Sequence, residues 1–259
     1  MTARPFAVIT GASSGIGREL ARCAVEDGCD VLIAADEASI ESAAEELRGS
    51  GTKVEFVVAD LGTSEGVATL WQAVGDRKID YMMANAGRGL GHAFLEQDWT
   101  EIESVLRVNV AGTTELLHRT AQHMASRRSG RILITGSVAG YMPGSFQAVY
   151  NATKAYLDSL SWAIRNELSD CDVSVTCLMP GPTDTKFFER AHMEDTPVGE
   201  SDKADAASVA QAGYGAMKDG KAGITPGMMN KVQSSLARAM PPGATAWLHR
   251  QMAQPEEKT

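Results

Sequence analysis

Short apolar runs alternate along this chain with longer segments in which apolar residues recur every three or four positions. The short runs, several of them continuously apolar as in Val31-Leu32-Ile33-Ala34, predict strands at 5–10, 30–35, 53–58, 79–83, 130–136, 172–178 and 222–226. The longer segments predict helices at 15–28, 37–49, 64–75, 98–127, 149–170 and 204–218. Strands that are apolar on both faces are typical of a parallel sheet covered by helices on both sides. The alternation therefore predicts a doubly wound α/β fold with about seven parallel strands.

One segment, 183–203, interrupts the alternation with a Phe-Phe pair, a Pro-Val-Gly turn and several charges. So long an irregular segment after a strand predicts a lid over a binding site, with an ordinary surface loop as the alternative. The length of 259 residues fits one domain over 1–259. We expect Met228–Lys231 to begin a further helix near the pocket mouth, and the polar tail 254–259 to be frayed.

Charge and composition exclude several classes of protein. The net charge of −9, without a stripe of Lys or Arg, argues against binding to nucleic acid. No apolar run reaches the roughly 18 residues that span a bilayer, and the N-terminus leads directly into the first predicted strand. We therefore expect a cytoplasmic protein. The four cysteines form no C-x-x-C pair, and no His, Cys and carboxylate cluster predicts a metal.

A glycine-rich turn, Thr10-Gly11-Ala12-Ser13-Ser14-Gly15-Ile16-Gly17, joins the first predicted strand to the first helix. Its glycines allow a tight turn and a close backbone approach to a pyrophosphate, which would lie at the positive helix N-terminus. The spacing is G-x-x-x-G-x-G rather than G-x-G-x-x-G. A glycine turn alone also occurs for purely structural reasons, and its position between strand and helix strengthens the functional interpretation.

Polar residues follow three further predicted strands: Asp60, the triplet Asn85-Ala86-Gly87, and Ser137. Each has a structural explanation as a helix cap, a turn or a strand exit. Together they predict a ligand site at the carboxyl edge of the sheet, where open parallel sheets bind ligands.

Tyr150 and Lys154 are four residues apart and lie on one face of a predicted helix. An ammonium beside a phenol favours the phenolate, so we expect Lys154 to lower the pKa of Tyr150. Such a phenol could donate or accept a proton near neutral pH, although the same pair also occurs on solvated helices.

The ordered motifs resemble the classical short-chain dehydrogenase/reductase family over roughly residues 5–185. The resemblance is carried by the glycine turn, Asp60, Asn85-Ala86-Gly87, Asn109, Ser137, Tyr150-x-x-x-Lys154 and Pro180-Gly181. It implies a Rossmann fold and reversible hydride transfer between a nicotinamide cofactor and an alcohol or carbonyl carbon.

The same resemblance implies roles for single residues. Tyr150 would be the general acid/base, Lys154 would lower the Tyr150 pKa and hold the nicotinamide ribose, and Ser137 would hydrogen-bond the substrate oxygen. Asn109, inside the predicted helix 98–127, would hold a water of the proton relay. Other implied cofactor residues are Gly11, Ser13, Ser14, Gly15, Ile16, Gly17, Asp36, Asp60, Leu61, Asn85, Ala86, Gly87, Pro180, Gly181, Thr183 and Thr185.

The end of the second predicted strand favours NAD over NADP. Asp36 and Glu37 place two carboxylates where a ribose 2′-phosphate would lie, and the glycine turn contains no basic residue. Counted from Gly17, Asp36 falls one position later than the family's usual Asp, where NADP enzymes often have Arg. Arg18 or Arg88 could still reach a phosphate, so NADP is not excluded.

The resemblance leaves the substrate open. Residues 88–98 and 183–203 are expected to line the substrate pocket. Their apolar side chains favour a lipophilic carbonyl or alcohol as the substrate, or else they only pack the lid against the sheet. A dinucleotide-sensing protein without turnover and an epimerase or dehydratase are the alternatives. The first usually lacks the Tyr-Lys pair, and the second usually has a longer C-terminal part. A two-fold homodimer or homotetramer is expected through helices 98–127 and 149–170, with Leu116, Leu117, Ala155 and Leu160 on packed faces.

Overall fold

The computed structural model describes residues 4–49, 51–227 and 240–255. Its strands form one parallel sheet in the order β3-β2-β1-β4-β5-β6-β7. Their bounds are β1 (Phe6–Thr10), β2 (Asp30–Ala35), β3 (Val54–Val58), β4 (Tyr81–Ala84), β5 (Gly130–Thr135), β6 (Val173–Leu178) and β7 (Gly223–Ile224). The order reverses its direction of growth between β1 and β4, as in doubly wound Rossmann folds. The predicted fold class is confirmed.

Helices cover both faces of the sheet. They are α1 (Gly15–Glu26), α2 (Ile40–Leu47), α3 (Ser64–Val74), α4 (Trp99–Leu106), α5 (Thr113–Arg127), α6 (Ala148–Glu167), α7 (Phe187–Arg190), α8 (Pro197–Glu200), α9 (Ala206–Lys218) and α10 (Pro242–Ala253). Short 3₁₀ helices lie at Val138–Tyr141 and Ser169–Cys171. Of the helices in the described ranges, none has the length and apolar character that crossing a membrane requires.

The predicted helix 98–127 is not one continuous α-helix. A π-helical turn, Arg107–Gly112, separates α4 from α5. At this turn the backbone passes so close to the loop after β3 that a Cβ on Gly112 would lie 1.7 Å from the Leu61 carbonyl oxygen. The Thr113 hydroxyl donates to the Val108 carbonyl oxygen at 2.8 Å, which satisfies an acceptor inside the altered turn. Apolar periodicity does not distinguish such a turn from regular helix, so the prediction was wrong here.

Two apolar cores lie on opposite faces of the sheet because successive strand side chains point in opposite directions. On one face, Ala7 and Ile9 pack with the buried residues of α1, α2 and α9. On the other, Val8 and Leu32 pack with those of α3, α5 and α6. The inner strands β1, β2, β4, β5 and β6 are therefore buried on both sides, which explains their apolar runs, whereas the edge strand β3 leaves Val58 50% exposed.

The segment 183–203 folds back over the loop 88–98. Within it, α7 and α8 bury Phe188 and Met193, and the Gly91 amide donates to the Ala191 carbonyl oxygen at 2.8 Å. The helix expected from Met228–Lys231 and residues 256–259 of the expected tail lie outside the described residues.

Candidate active site

The glycine turn after β1 has a backbone that side chains would obstruct. Gly11 and Gly15 adopt positive φ angles of 63° and 55°. A Cβ on Gly17 would lie 2.1 Å from the Gly11 carbonyl oxygen and 2.5 Å from Nδ2 of Asn85. The turn therefore packs directly against the start of α1 and against the end of β4.

A cleft of about 810 Å³ runs along the carboxyl ends of the strands. Its wall contains most of the residues predicted from the sequence: Gly11, Ser13, Ser14, Gly15, Ile16, Asp36, Asp60, Leu61, Asn85, Ala86, Gly87, Ser137, Tyr150, Lys154, Pro180, Gly181, Thr183 and Thr185. Gly17 and Asn109 lie behind this wall instead. The structure thus brings motifs from six separate strand ends to one cavity.

Asn85 joins three strands beneath the cleft. Its side-chain amide donates to the carbonyl oxygens of Thr10 and Gly11 at 3.2 and 3.3 Å. Its Oδ1 atom accepts a hydrogen bond from the Thr135 hydroxyl at 3.1 Å. With both halves of its amide occupied, Asn85 fixes the spacing of β1, β4 and β5.

Two ion pairs lie where β2 ends in the cleft. Asp36 pairs with Arg88 at 2.6 Å, and Glu37 pairs with Arg190 of α7 at 2.8 Å. Glu37 also accepts a hydrogen bond from the Ser13 hydroxyl at 2.5 Å. This hydrogen bond, followed by the contact with Arg190, lowers the pKa of Glu37 against the effect of burial. At this end of the cleft, the negative charges of the two carboxylates are therefore each offset by the positive charge of a guanidinium group.

Ser137, Tyr150 and Lys154 meet at the other end of the cleft, and all three are buried. The Ser137 hydroxyl donates to the Pro180 carbonyl oxygen at 3.4 Å and accepts from the Ala139 amide at 3.1 Å. The ammonium of Lys154 donates to the Thr135 carbonyl oxygen at 2.8 Å and lies 5.9 Å from the centroid of the Tyr150 ring. A Cβ on Gly87 would lie 3.6 Å from Nζ of Lys154, so Gly87 and the ammonium are neighbours in the wall of the cleft.

The pKa shifts at this end differ from the sequence-based expectation. Burial raises the pKa of Tyr150 to about 12, the Ser137 hydroxyl opposes this rise, and the charge of Asp158 adds to it. Burial also lowers the pKa of Lys154 to about 8. The Tyr150 pKa is therefore raised rather than lowered, because desolvation outweighs the other contributions. Tyr150 is protonated at neutral pH, as a proton donor must be.

Asn109 lies in the π-helical turn with its side chain fully buried. Its Oδ1 atom accepts from the Arg88 amide at 2.8 Å, and its Nδ2 atom donates to the Arg88 carbonyl oxygen and to the Thr153 hydroxyl at 2.9 and 3.0 Å. The side chain therefore joins the loop after β4 to α6.

The loop after β6 closes the cleft above the glycine turn. A Cβ on Gly15 would lie 2.7 Å from the Thr185 methyl group. The Thr185 hydroxyl accepts a hydrogen bond from the Phe187 amide at 3.2 Å. Phe187 in turn packs against Tyr150, with ring centroids 5.1 Å apart. This loop therefore connects the glycine turn to the acid/base end of the cleft.

Sequence reasoning missed several residues of the cleft wall. Arg190 comes from the irregular segment, and His249 and Met252 come from α10. His249 belongs to no motif, so only the fold shows that it reaches the cleft. Arg190 lies in the segment 183–203 that was expected to line the pocket, but nothing in the sequence assigned it a partner. Arg88 was not missed, because the sequence already placed it within possible reach of a cofactor phosphate, but its ion pair with Asp36 was not predicted.

Residues 5–195 match the family described as short chain dehydrogenase. The chain belongs to the short-chain dehydrogenase/reductase family. It is 32% identical over 209 residues to an uncharacterized oxidoreductase of Staphylococcus epidermidis, covering 80% of this chain and 87% of that protein. It is 34% identical over 206 residues to estradiol 17-beta-dehydrogenase 1 of Rattus norvegicus, covering 77% of this chain and 59% of that protein.

A short-chain dehydrogenase from Sphingobium yanoikuyae, solved in complex with NADPH, superposes with a TM-score of 0.82. It is 26% identical and the match covers 98% of this chain and 100% of that one. This member of the short-chain dehydrogenase/reductase family is thus an oxidoreductase.

Proposed function

We propose that this protein transfers a hydride between a nicotinamide cofactor and the alcohol or carbonyl carbon of a small lipophilic substrate. The observation that carries the proposal is the meeting of Ser137, Tyr150 and Lys154 in the same cleft as the glycine turn. The dinucleotide accepts or supplies the hydride, and the protein positions the reactants and moves the proton.

The shape of the cleft supports a dinucleotide running from the end of β2 to Tyr150. The glycine turn would hold the pyrophosphate at the N-terminus of α1. A Cβ on Gly11 would meet the Ala86 backbone and one on Gly15 would meet Thr185, so only glycine keeps the turn in this close packing along the cleft. Asp36 would hold the adenosine ribose, Asp60 and Leu61 would border the adenine, and Ala86 and Gly87 would face the middle of the molecule. Thr183 and Thr185 would bind the carboxamide.

The residues of the acid/base end divide the proton chemistry among them. In reduction, Tyr150 donates its phenolic proton to the carbonyl oxygen as negative charge develops there. Ser137 donates a hydrogen bond to the same oxygen, and the Lys154 ammonium keeps the local potential positive. Lys154 also has the donors to hold the nicotinamide ribose. Asn109 positions the loop after β4 against α6, and we propose that its π-helical turn holds the water of the proton relay that the family resemblance implies.

We further propose a preference for NAD over NADP. Arg88 is already engaged by Asp36, so a ribose 2′-phosphate would have to compete with a carboxylate for that guanidinium. Glu37 adds a second negative charge nearby, although Arg190 offsets it.

The lipophilic substrate is supported by the aromatic contacts next to Tyr150. Phe187 lies against Tyr150 and packs at right angles to Phe188. The rat relative named as an estradiol dehydrogenase is consistent with an apolar substrate of this kind.

The test is a panel of lipophilic ketones and secondary alcohols, each followed by the absorbance of the reduced nicotinamide at 340 nm with both cofactors. We expect saturable turnover with several lipophilic members and little with small polar ones. Cofactor binding without turnover of any member would instead support a dinucleotide sensor.

A further inference from the structure

A histidine from the C-terminal part of the chain reaches the acid/base end of the cleft. His249 lies on α10 and lines the cleft together with Met252 of the same helix. Helix α10 is attached to the segment before α6 by two hydrogen bonds. Ser145 donates from its hydroxyl to the Ala246 carbonyl oxygen at 2.9 Å, and Nδ1 of His249 is 2.9 Å from the Ser145 carbonyl oxygen. Ser145 precedes Tyr150 by five residues, so the imidazole is held beside the acid/base end.

The hydrogen bond to Ser145 decides which imidazole nitrogen carries the proton. A carbonyl oxygen can only accept, so Nδ1 must be the donor. Burial lowers the pKa of His249 below its usual range, against the effect of the bond to Ser145. The ring is therefore neutral at pH 7, and a neutral imidazole protonated on Nδ1 has an acceptor lone pair on Nε2.

Among the described residues, apolar side chains form part of the wall of the cleft that His249 lines. Met142, Phe188, Val198 and Met252 line the cleft with apolar groups. Gln147 also lines it, but its amide nitrogen donates to the sulfur of Met193. A neutral acceptor in such surroundings contributes most to binding when the bound molecule supplies a donor, because an unpaired buried polar atom is costly.

We propose that Nε2 of His249 accepts a hydrogen bond from a second polar group of the substrate, a hydroxyl or N–H distant from the reacting carbon. This inference rests on the proposed function. Tyr150 would protonate the carbonyl oxygen at one end of the substrate, and His249 would bind the polar group at the other end. The substrate class becomes a lipophilic ketone or alcohol that also carries a hydrogen-bond donor.

The experiment measures binding without turnover, using the full-length protein saturated with oxidised NAD or NADP, whichever binds more tightly. The ligands are 4-phenylcyclohexanone and its 3-hydroxyphenyl and 4-hydroxyphenyl derivatives, which cannot be reduced by an oxidised cofactor. By titration calorimetry we expect one of the hydroxylated ketones to bind wild type about 3- to 10-fold more tightly than the parent, the value of one net hydrogen bond.

His249→Asn keeps a side-chain N–H for the Ser145 carbonyl but lacks the Nε2 acceptor, and we expect it to bind all three ketones equally. His249→Phe should lose the same preference, and thermal unfolding of both variants checks that they fold. Trp247→Ala, at the exposed neighbouring position, should behave as wild type.

Equal binding of all three ketones by wild type, no binding of any, or a preference that survives in His249→Asn would overturn the inference. These outcomes are separate from the proposed function, which the 340 nm assay tests through turnover.

Discussion

Tyr150 is the residue on which the proposed proton transfer depends. Its phenol is buried in the same cleft as the hydroxyl of Ser137, and its raised pKa keeps it protonated at neutral pH. We expect Tyr150→Phe to lower kcat for ketone reduction by about 10²- to 10⁴-fold, the usual contribution of a general acid. Cofactor affinity, measured by quenching of reduced-nicotinamide fluorescence, should stay within about twofold because the ring is retained.

Tyr156→Phe is the matched control for this substitution. Tyr156 is also on α6, but its hydroxyl pairs with Thr114 at 2.9 Å and the residue is exposed. Its variant should retain wild-type kcat. Wild-type turnover by Tyr150→Phe on any accepted substrate would assign the acid to another group.

Asp36 is the residue on which the cofactor preference depends. Replacing it with Asn releases Arg88 from its ion pair and removes a negative charge, so the guanidinium becomes available to a 2′-phosphate. We expect Asp36→Asn and Asp36→Arg to raise the NADP-to-NAD affinity ratio by roughly 10- to 100-fold, the value of one charge-assisted hydrogen bond. Titration of each cofactor against the two variants and wild type measures this ratio.

Arg88→Ala removes the other partner of the same ion pair and should change the cofactor preference in the opposite direction. Without the guanidinium, Asp36 would repel the phosphate more strongly, and the preference for NAD should widen. Wild-type protein that binds NADP more tightly than NAD would contradict the proposed preference.

At the scale of single elements, two glycines in helices should respond to alanine in opposite directions. In α1, a Cβ on Gly17 would meet the Gly11 carbonyl oxygen, and the helix would have to move away from the glycine turn. In α9, a Cβ on Gly215 would have nothing within 4 Å. Gly215→Ala should therefore stabilise the protein by about 0.5–1 kcal/mol, because alanine has the better helix propensity.

We expect Gly17→Ala to destabilise the protein by about 1–3 kcal/mol and to weaken cofactor binding, as overpacking does elsewhere. Thermal unfolding with and without cofactor measures both effects, and Gly215→Ala is the control for adding a methyl group to a helix. If Gly17→Ala kept wild-type stability and affinity, the close packing of the turn on α1 would not matter for function.

The elements that could be predicted from sequence are those that repeat a simple pattern. Runs of apolar residues marked the inner strands because these are buried on both faces. The glycine turn was recognisable because its conformation excludes side chains. The π-helical turn at Arg107–Gly112 was not predictable, since it results from close packing against Leu61 rather than from its own residues. The desolvation that sets the Tyr150 pKa likewise depends on the surrounding fold.

At the scale of the whole molecule, the cleft combines residues that are far apart in the chain. The end near β2 depends on Arg190, and the acid/base end includes His249, which is about 100 residues beyond Tyr150. Neither stands in a motif, so the partner of Arg190 and the presence of His249 in the cleft became visible only once segment 183–203 and α10 had been placed. Sequence reasoning thus predicted least well those residues of the cleft that come from outside the motifs.

Self-association is the remaining prediction at this scale. Leu116 and Leu117, two residues expected on pairing faces, are buried within the protomer against the sheet. Helices α4 and α6 nevertheless expose Leu106 and Tyr156, at 39% and 38%. Because the Tyr156 hydroxyl bonds to Thr114, the outer faces of α5 and α6 are joined at this point. Exposed apolar groups on adjoining helices are typical of two-fold interfaces.

We therefore expect light scattering at micromolar concentration to give two or four times the protomer mass. The double variant Leu106→Arg and Tyr156→Arg should shift this to the protomer mass, because paired copies would bring like charges together across the two-fold axis. Leu95→Arg is the matched control, since Leu95 is 95% exposed on the loop 88–98, and it should leave the mass unchanged. A protomer mass for wild type, or an unchanged multiple for the double variant, would show that these helices do not pair.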